Sequence, residues 1–376
     1  MSDFTVSGWC PTAWRPMMAG DGLLVRVRLR LGRITRDQAI GLCGAAREFG
    51  NGLIDITSRA NVQIRGVGED GWPVMLERLV ALNLVDADPA MEARRAIMIA
   101  PDWQEGDDSQ HIATMLTQRL GDLPVLPAKV GFAIDAGVAP MLAMDPADFR
   151  IERGEGGALI LRADGRATGC RIAKDEAADG LVALAHWFVD SGGLAAGRMA
   201  RHHAALPGWA CGNERPAPAR AALQPGRHST GDAYGVPFGS MTADALAALI
   251  DGSGAQAIRI TPWRILLLEG AGPGNLDGFV HVADHPAMRA DACPGAPACP
   301  QAMVQTRTLA VRLAPHVEGR LHVSGCAKGC AHAGPADITL TGRDGLFDLS
   351  FNSRAGDVPA RSGLGPDQLL AHFGAD

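Results

Sequence analysis

Residues 32–67 read GRITRDQAIGLCGAAREFGNGLIDITSRANVQIRGV, and residues 239–270 read GSMTADALAALIDGSGAQAIRITPWRILLLEG. Both open on Gly-x-[Ile/Met]-Thr, continue with apolar residues at helical spacing, break at a glycine turn and close in strand-like runs. Thr35 and Thr242 stand where a helix wants a capping hydroxyl. Two further pairs lie outward of these. ADPAMEARRAIMIAP (87–101) answers ADHPAMRADACPGAP (283–297), and PADFRIERGEGGALILRAD (146–164) answers PADITLTGRDGLFDLSFNS (335–353). The three pairs keep one order, so the chain reads as a duplicated unit, 1–225 and 226–376. The soft boundary is NERPAPARAALQPGR (213–227), where periodicity lapses. Each half predicts strand–helix–strand and a further helix, over about 72–84 in the first. Hairpins are expected to turn at Gly154–Gly157 and Arg343–Gly345. That is α+β, not one doubly wound sheet.

The chain has 376 residues, 47% hydrophobic and 20% charged, enough apolar material for several cores and too much for a disordered chain. Its net charge of −6 argues against a nucleic-acid binder. No leader pattern and no membrane-length apolar run is present, so a cytoplasmic, membrane-free protein with reduced thiols is expected. Basic residues are nearly all Arg; the Lys are Lys129, Lys174 and Lys328. Residues 1–66 hold nine Arg against five acids, a positive segment in an acidic chain.

Val25-Arg26-Val27-Arg28-Leu29-Arg30-Leu31 alternates as a strand with one apolar and one Arg face. Thr57, Arg59, Asn61, Gln63 and Arg65 share a face if residues 57–65 are extended. Such polar faces either meet solvent or form a cationic wall for carboxylates.

Four cysteines cluster as Cys293-x5-Cys299 and Cys326-x3-Cys330, while the matching stretches of the first half carry none. Four thiolates suit a [4Fe–4S] cluster, and the nearby Pro294, Gly295, Gly325 and Gly329 permit loops whose amides face cluster sulfurs. A zinc site and four plain thiols are the alternatives. Cys10, Cys43, Cys170 and Cys211 read as bystanders. His332 and His202-His203 read as loop residues rather than metal ligands. Gly270-Ala-Gly272-Pro-Gly274 has the wrong spacing for a dinucleotide cradle.

Together, Ser324-Gly325-Cys326-Ala-Lys-Gly-Cys330, Thr57-Ser58-Arg59-Ala60-Asn61-Val62-Gln63 and Leu126-Pro127-Ala128-Lys129 resemble motifs of the sirohaem and [4Fe–4S] nitrite/sulfite reductase superfamily. Gly8-Trp9-Cys10-Pro11, Gly50–Asn61, Thr261-Pro262-Trp263-Arg264 and Gly325–His332 are similar to its precorrin-3B synthase family. The resemblance spans nearly the whole chain. It departs at Asp102-Trp103-Gln104, and at Gly131, where sulfite reductases carry a second Lys.

The resemblance implies an internally duplicated nitrite/sulfite reductase-like fold. Ferredoxin-like half-domains at 1–85 and 226–285 would alternate with α/β domains at 86–225 and 286–376, the last carrying the cluster. It implies a monooxygenase that uses O2 to hydroxylate precorrin-3A, with γ-lactone formation, in aerobic cobalamin biosynthesis. A sirohaem-dependent sulfite or nitrite reductase is the alternative, and a non-catalytic iron–sulfur or tetrapyrrole-binding protein a minor one. The implied cofactors are a [4Fe–4S] cluster on Cys293, Cys299, Cys326 and Cys330, and a non-haem iron whose ligands are not assigned; sirohaem belongs to the alternative. Electrons would come from an NADH-dependent reductase. Arg59 and Lys129 would be catalytic. Arg26, Arg28, Arg59, Asn61, Gln63, Arg95, Lys129 and Lys328 would bind the polycarboxylate substrate.

Overall fold

The structure, a computed structural model, describes residues 10–272 and 277–375. The first quarter contains β1 (Met17–Ala19), β2 (Gly22–Val27), β3 (Arg33–Thr35), α1 (Arg36–Phe49), β4 (Leu53–Ile56), β5 (Val62–Val67) and α2 (Trp72–Ala81). The second contains α3 (Pro89–Arg94), β6 (Ile97–Ile99), α4 (Asp108–Gln118), β7 (Phe132–Asp135), β8 (Phe149–Arg153), β9 (Leu159–Ala163), β10 (Cys170–Arg171), α5 (Ala177–Asp190) and α6 (Gly193–Ala196). The pattern then repeats. β11 (Gly226–His228), β12 (Gly231–Gly235), β13 (Ser240–Thr242), α7 (Ala243–Ser253), β14 (Ala257–Ile260) and β15 (Ile265–Glu269) echo the first quarter. α8 (Pro286–Arg289), β16 (Ala290–Ala292), α9 (Arg307–Leu313), β17 (Leu321–Ser324), β18 (Ala336–Arg343), β19 (Leu346–Ser353), β20 (Arg361–Leu364) and α10 (Pro366–Phe373) echo the second.

Thr35 caps α1 through a capping box with Gln38, and the Thr242 hydroxyl accepts from Ala245 N at the start of α7. The two helices pack together over one core shared by Leu42, Ile54, Ile64, Leu249, Ile258 and Leu268. The sheets above them run β1-β2-β5-β4-β13 and β11-β12-β15-β14-β3. Each therefore ends on a strand from the other half: β13 pairs with β4, and β3 pairs with β14. Two strands thus cross the quarter boundaries that the sequence suggests.

This exchange explains a departure from the alternation reading. β2 stops at Val27, and Arg28–Leu31 is not strand, because the chain must cross there to the other sheet. Leu31 (φ 51) and Gly32 (φ 62) make the crossing; Phe238 (φ 58) and Gly239 (φ 67) make its counterpart before β13. The remaining sheets, β10-β9-β8-β7-β6 and β20-β19-β18-β17-β16, share one topology: a parallel trio followed by antiparallel edge strands.

Candidate functional site

The turns joining β4 to β5 and β14 to β15 have the same construction. Thr57 Oγ1 accepts from the amides of Arg59 and Asn61, and Thr261 Oγ1 accepts from those of Trp263 and Ile265. Ala60 (φ 53) and Arg264 (φ 62) occupy the left-handed position of each. Residues 57–61 are therefore a turn, and the expected single face from Thr57 to Arg65 is broken. Only Gln63 and Arg65 keep strand alternation on β5.

Register carries the equivalence along the sheets. Arg26, Gln63, Arg65 and Asp55 in the first correspond to Ala233, Leu267, Glu269 and Arg259 in the second. The second face is partly filled: Ala233, Ile265 and Leu267 pack against Met98, Ala100, Met141 and Leu142. The first face is not. It borders a cavity of about 640 Å³, with the cysteine-bearing quarter opposite.

Four guanidinium groups line that cavity: Arg26, Arg65, Arg264 and Arg307, with Asp55 and Asp291 between them. Arg26 grips Gln63 Oε1 through Nε (3.0 Å) and Nη2 (2.7 Å). Arg65 is fixed by Asp21 (2.9 Å) and Asp55 (3.1 Å). Arg307 donates to Ser240 Oγ at 2.8 Å, and its buried Nε has no partner among the described residues. Arg264 donates to Ala290 O and Met288 O. Burial pushes the pKa values of Arg26, Arg264 and Arg307 down, yet guanidinium stays charged. Met17, Leu24, Ile56, Phe238 and Pro262 supply apolar wall, and Cys293 and Cys330 reach the lining.

A second, water-sized space of about 30 Å³ shares Arg26 and is lined also by Cys10, Arg28, Arg59, Asn61 and Gly131. The Arg59 side chain makes no hydrogen bond among the described residues, and burial lowers its pKa. Arg28 is largely committed, since its Nη1 donates to Glu92 O (2.9 Å) and Ala93 O (2.7 Å). Arg95 lines neither space; it is buried against Glu92 at 2.6 Å and donates to Arg28 O at 2.7 Å. Lys129 is exposed in a turn whose neighbours Ala128 and Gly131 form the lining. Lys328 is half-buried between Cys326 and Cys330. Gly8 and Trp9 lie outside the described residues, as do Pro273 and Gly274. Cys43 is buried, its thiol pushed up to about 12 by lost hydration. Cys10, read as a bystander, instead lines the smaller space.

The four clustered cysteines come from two loops following β16 and β17. The Gly325 amide donates to Cys293 Sγ at 3.2 Å. Loss of hydration raises the Cys330 pKa, Lys328 opposes it, and Cys293, Cys326 and Cys299 add to it, so the four thiols feel one another. A Cβ on Gly325 would meet Ala302 Cβ at 2.5 Å, and Gly295 and Gly329 hold positive φ. The loops are therefore glycine-dependent, and the Gly325 amide is turned toward sulfur. The all-thiol donor set and these loops fit an iron–sulfur cluster. Among the described residues, these four cysteines included, no three or more His, Cys, Asp or Glu stand close enough together to hold a metal ion as they are placed, so the fit is one of donor type and loop construction. No ligand set for a mononuclear iron is therefore assigned.

The sequence reading missed Asp55, Arg65, Arg307 and Asp291 as site residues. The legible signal was the repeat itself, which reverses Asp55–Arg65 into Arg259–Glu269.

Residues 15–82 match the model of the nitrite/sulfite reductase ferredoxin-like half domain. The Mycobacterium tuberculosis NirA protein superposes with a TM-score of 0.59 at 19% identity, covering 93% of this chain and 79% of that one. A ferredoxin–nitrite reductase of Synechococcus elongatus is 30% identical over 141 residues, 34% of this chain and 27% of its own. A precorrin-3B synthase from Sinorhizobium sp is 32% identical over 410 aligned residues, spanning 98% of this chain and 88% of the relative. Set beside a duplicated fold whose arginine-lined cavity opens onto clustered cysteines, that full-length similarity means that the chain belongs to the precorrin-3B synthase family, within the nitrite/sulfite reductase superfamily.

Proposed function

We propose that this enzyme hydroxylates a meso carbon of precorrin-3A with O2 and closes a ring acetate to a γ-lactone, in aerobic cobalamin (vitamin B12) biosynthesis. The observation that carries the reading is the cavity of about 640 Å³ whose lining sets Arg26, Arg65, Arg264 and Arg307 beside Cys293 and Cys330. Precorrins bear many carboxylates, and guanidinium groups bind carboxylates in bidentate fashion. Arg26 and Arg307 retain donor capacity for them. Arg65, clamped by Asp21 and Asp55, supplies fixed positive charge. The apolar wall of Met17, Leu24, Ile56 and Phe238 faces the macrocycle and keeps water from it. Held at its carboxylates, the ring has one orientation, and the reacting acetate is kept near the carbon it must reach.

Cys293, Cys299, Cys326 and Cys330 would hold a [4Fe–4S] cluster, which when bound supplies single electrons delivered by an NADH-dependent reductase. Arg59 and Lys129 are the proposed catalytic residues. Asn61 borders the smaller space with Arg59, Gln63 orients Arg26, and Lys328 offsets thiolate charge. Arg28 and Arg95 support this wall rather than the substrate.

Anaerobically purified enzyme, given precorrin-3A and a reductase, should turn over only with O2 and place one atom of labelled oxygen in the product. Its optical spectrum should show a broad iron–sulfur shoulder that Cys326→Ser abolishes. Sirohaem bands, or turnover of sulfite or nitrite in place of precorrin-3A, would favour the reductase alternative and overturn the reading.

A further inference from the structure

The cysteine-bearing half differs from its partner in more than its thiols. Register across β16, β17, β18 and β19 aligns Asp291, His322, Thr339 and Ser350 in one buried polar row. The same row in the other half is Met98, Ala133, Arg150 and Arg162. His322 therefore stands where the cluster-free half has alanine.

The imidazole of His322 is 0% exposed, and among the described residues neither Nδ1 nor Nε2 has a hydrogen-bond partner. Its neighbour Thr339 is satisfied, donating to Ser353 O at 2.7 Å. Leaving such a buried polar group unmade costs about 1–3 kcal/mol, and native proteins tolerate few. The ring lies beneath the Cys326–Cys330 loop, because a Cβ on Gly329 would sit 3.6 Å from its Cε1. His332 meets it edge-on at 5.8 Å between centroids, and Asp291 and Arg320 are the charged groups near it. Asp291 is already engaged by Arg320 (2.5 Å) and Arg264 (3.2 Å). Burial holds the ring pKa down at about 4, so the ring is neutral and carries one N–H.

We propose that His322 is a positioning residue for the iron–sulfur group gripped by Cys326 and Cys330, donating its ring N–H toward the anionic sulfurs and raising their reduction potential. The inference rests on the cofactor reading above. It follows from the orphaned ring, its place under the loop and its absence from the cluster-free half. Hydrogen bonds to cluster sulfur stabilise the more negative, reduced state.

The test is an EPR-monitored redox titration of holoenzyme carrying His322→Phe or His322→Gln. The Phe variant should disfavour reduction roughly tenfold, about 59 mV for a one-electron couple. The Gln variant, which keeps an N–H, should recover most of the shift. Wild-type holoenzyme labelled with 15N-histidine should show nitrogen and exchangeable-proton couplings in ENDOR of the reduced cluster. This arm decides the matter where the Phe variant fails to assemble. A full cluster signal without these couplings, or equal potentials in all three proteins, overturns the proposal alone. Absence of any iron–sulfur signal in wild type overturns the cofactor reading and the proposal with it.

Discussion

Arg95 lies 5% exposed against Glu92, whose carboxyl is pushed up by burial and held back by Arg95. Arg95→Met should cost about 3–5 kcal/mol of stability, since it strands a buried carboxylate. Arg26→Met should leave the urea midpoint nearly unchanged and raise KM for the tetrapyrrole about tenfold or more. Equal effects on stability would mean that both side chains are structural. His322 makes stability pH-dependent. Its folded pKa of about 4 lies below the ordinary 6.5, so the folded state binds fewer protons between those values. Its contribution is complete above pH 6.5 and is lost as pH falls toward 4, up to about 3 kcal/mol. Asp135, raised to about 6 by burial, acts in the opposite sense over pH 4–6. Comparing urea midpoints of wild type and His322→Phe at pH 7 and 4.5 isolates the histidine. The wild type should lose more on acidification, and parallel losses would exclude the imidazole. Arg26 and Arg95 looked alike in sequence because both are basic residues in recognised motifs. Only the partners on neighbouring elements distinguish a cavity wall from a buried pair.

The matched turns after β4 and β14 require one left-handed residue each, Ala60 and Arg264. Ala60→Gly should be neutral or stabilising, whereas Ala60→Val should cost about 1–3 kcal/mol because β-branching clashes at positive φ. Thermal unfolding of both variants measures this, and an undisturbed Val variant would contradict the turn geometry. Helices α1 and α7 were legible because their capping threonines and apolar spacing are local. Alternation from Val25 to Leu31 misled because strand period does not reveal where the chain must leave a sheet. Arg264 sits in a legible motif, but its approach to Asp291 depends on β16, which lies far along the chain.

The exchange of β3 and β13 makes the two half-domains one cooperative body. A chain ending at residue 225 loses β13 from β4 and leaves β3 without β14, exposing unpaired strand edges. It should aggregate or lack protected amides, while co-expressed halves should assemble. A dispersed, exchange-protected fragment would show that the halves fold independently. The two equivalent sheet faces also differ in what covers them, and the arginine-lined cavity lies on the first. Ala233, Ile265 and Leu267 close against Met98 and Met141 on one side, while Arg26, Gln63, Arg65 and Asp55 cannot pack that way on the other.

The sequence by itself determined the duplication, the capped helices, the hairpins and the cysteine pairs, because each is written in residues close along the chain. It also carried the family, through motifs spread in order over both halves. The tertiary structure alone decided which arginines meet a cavity, that β3 and β13 change partners, and that His322 lies buried beneath the cysteine loop. Those facts depend on contacts between distant elements, where burial and charge neutralisation are settled by packing rather than by local pattern.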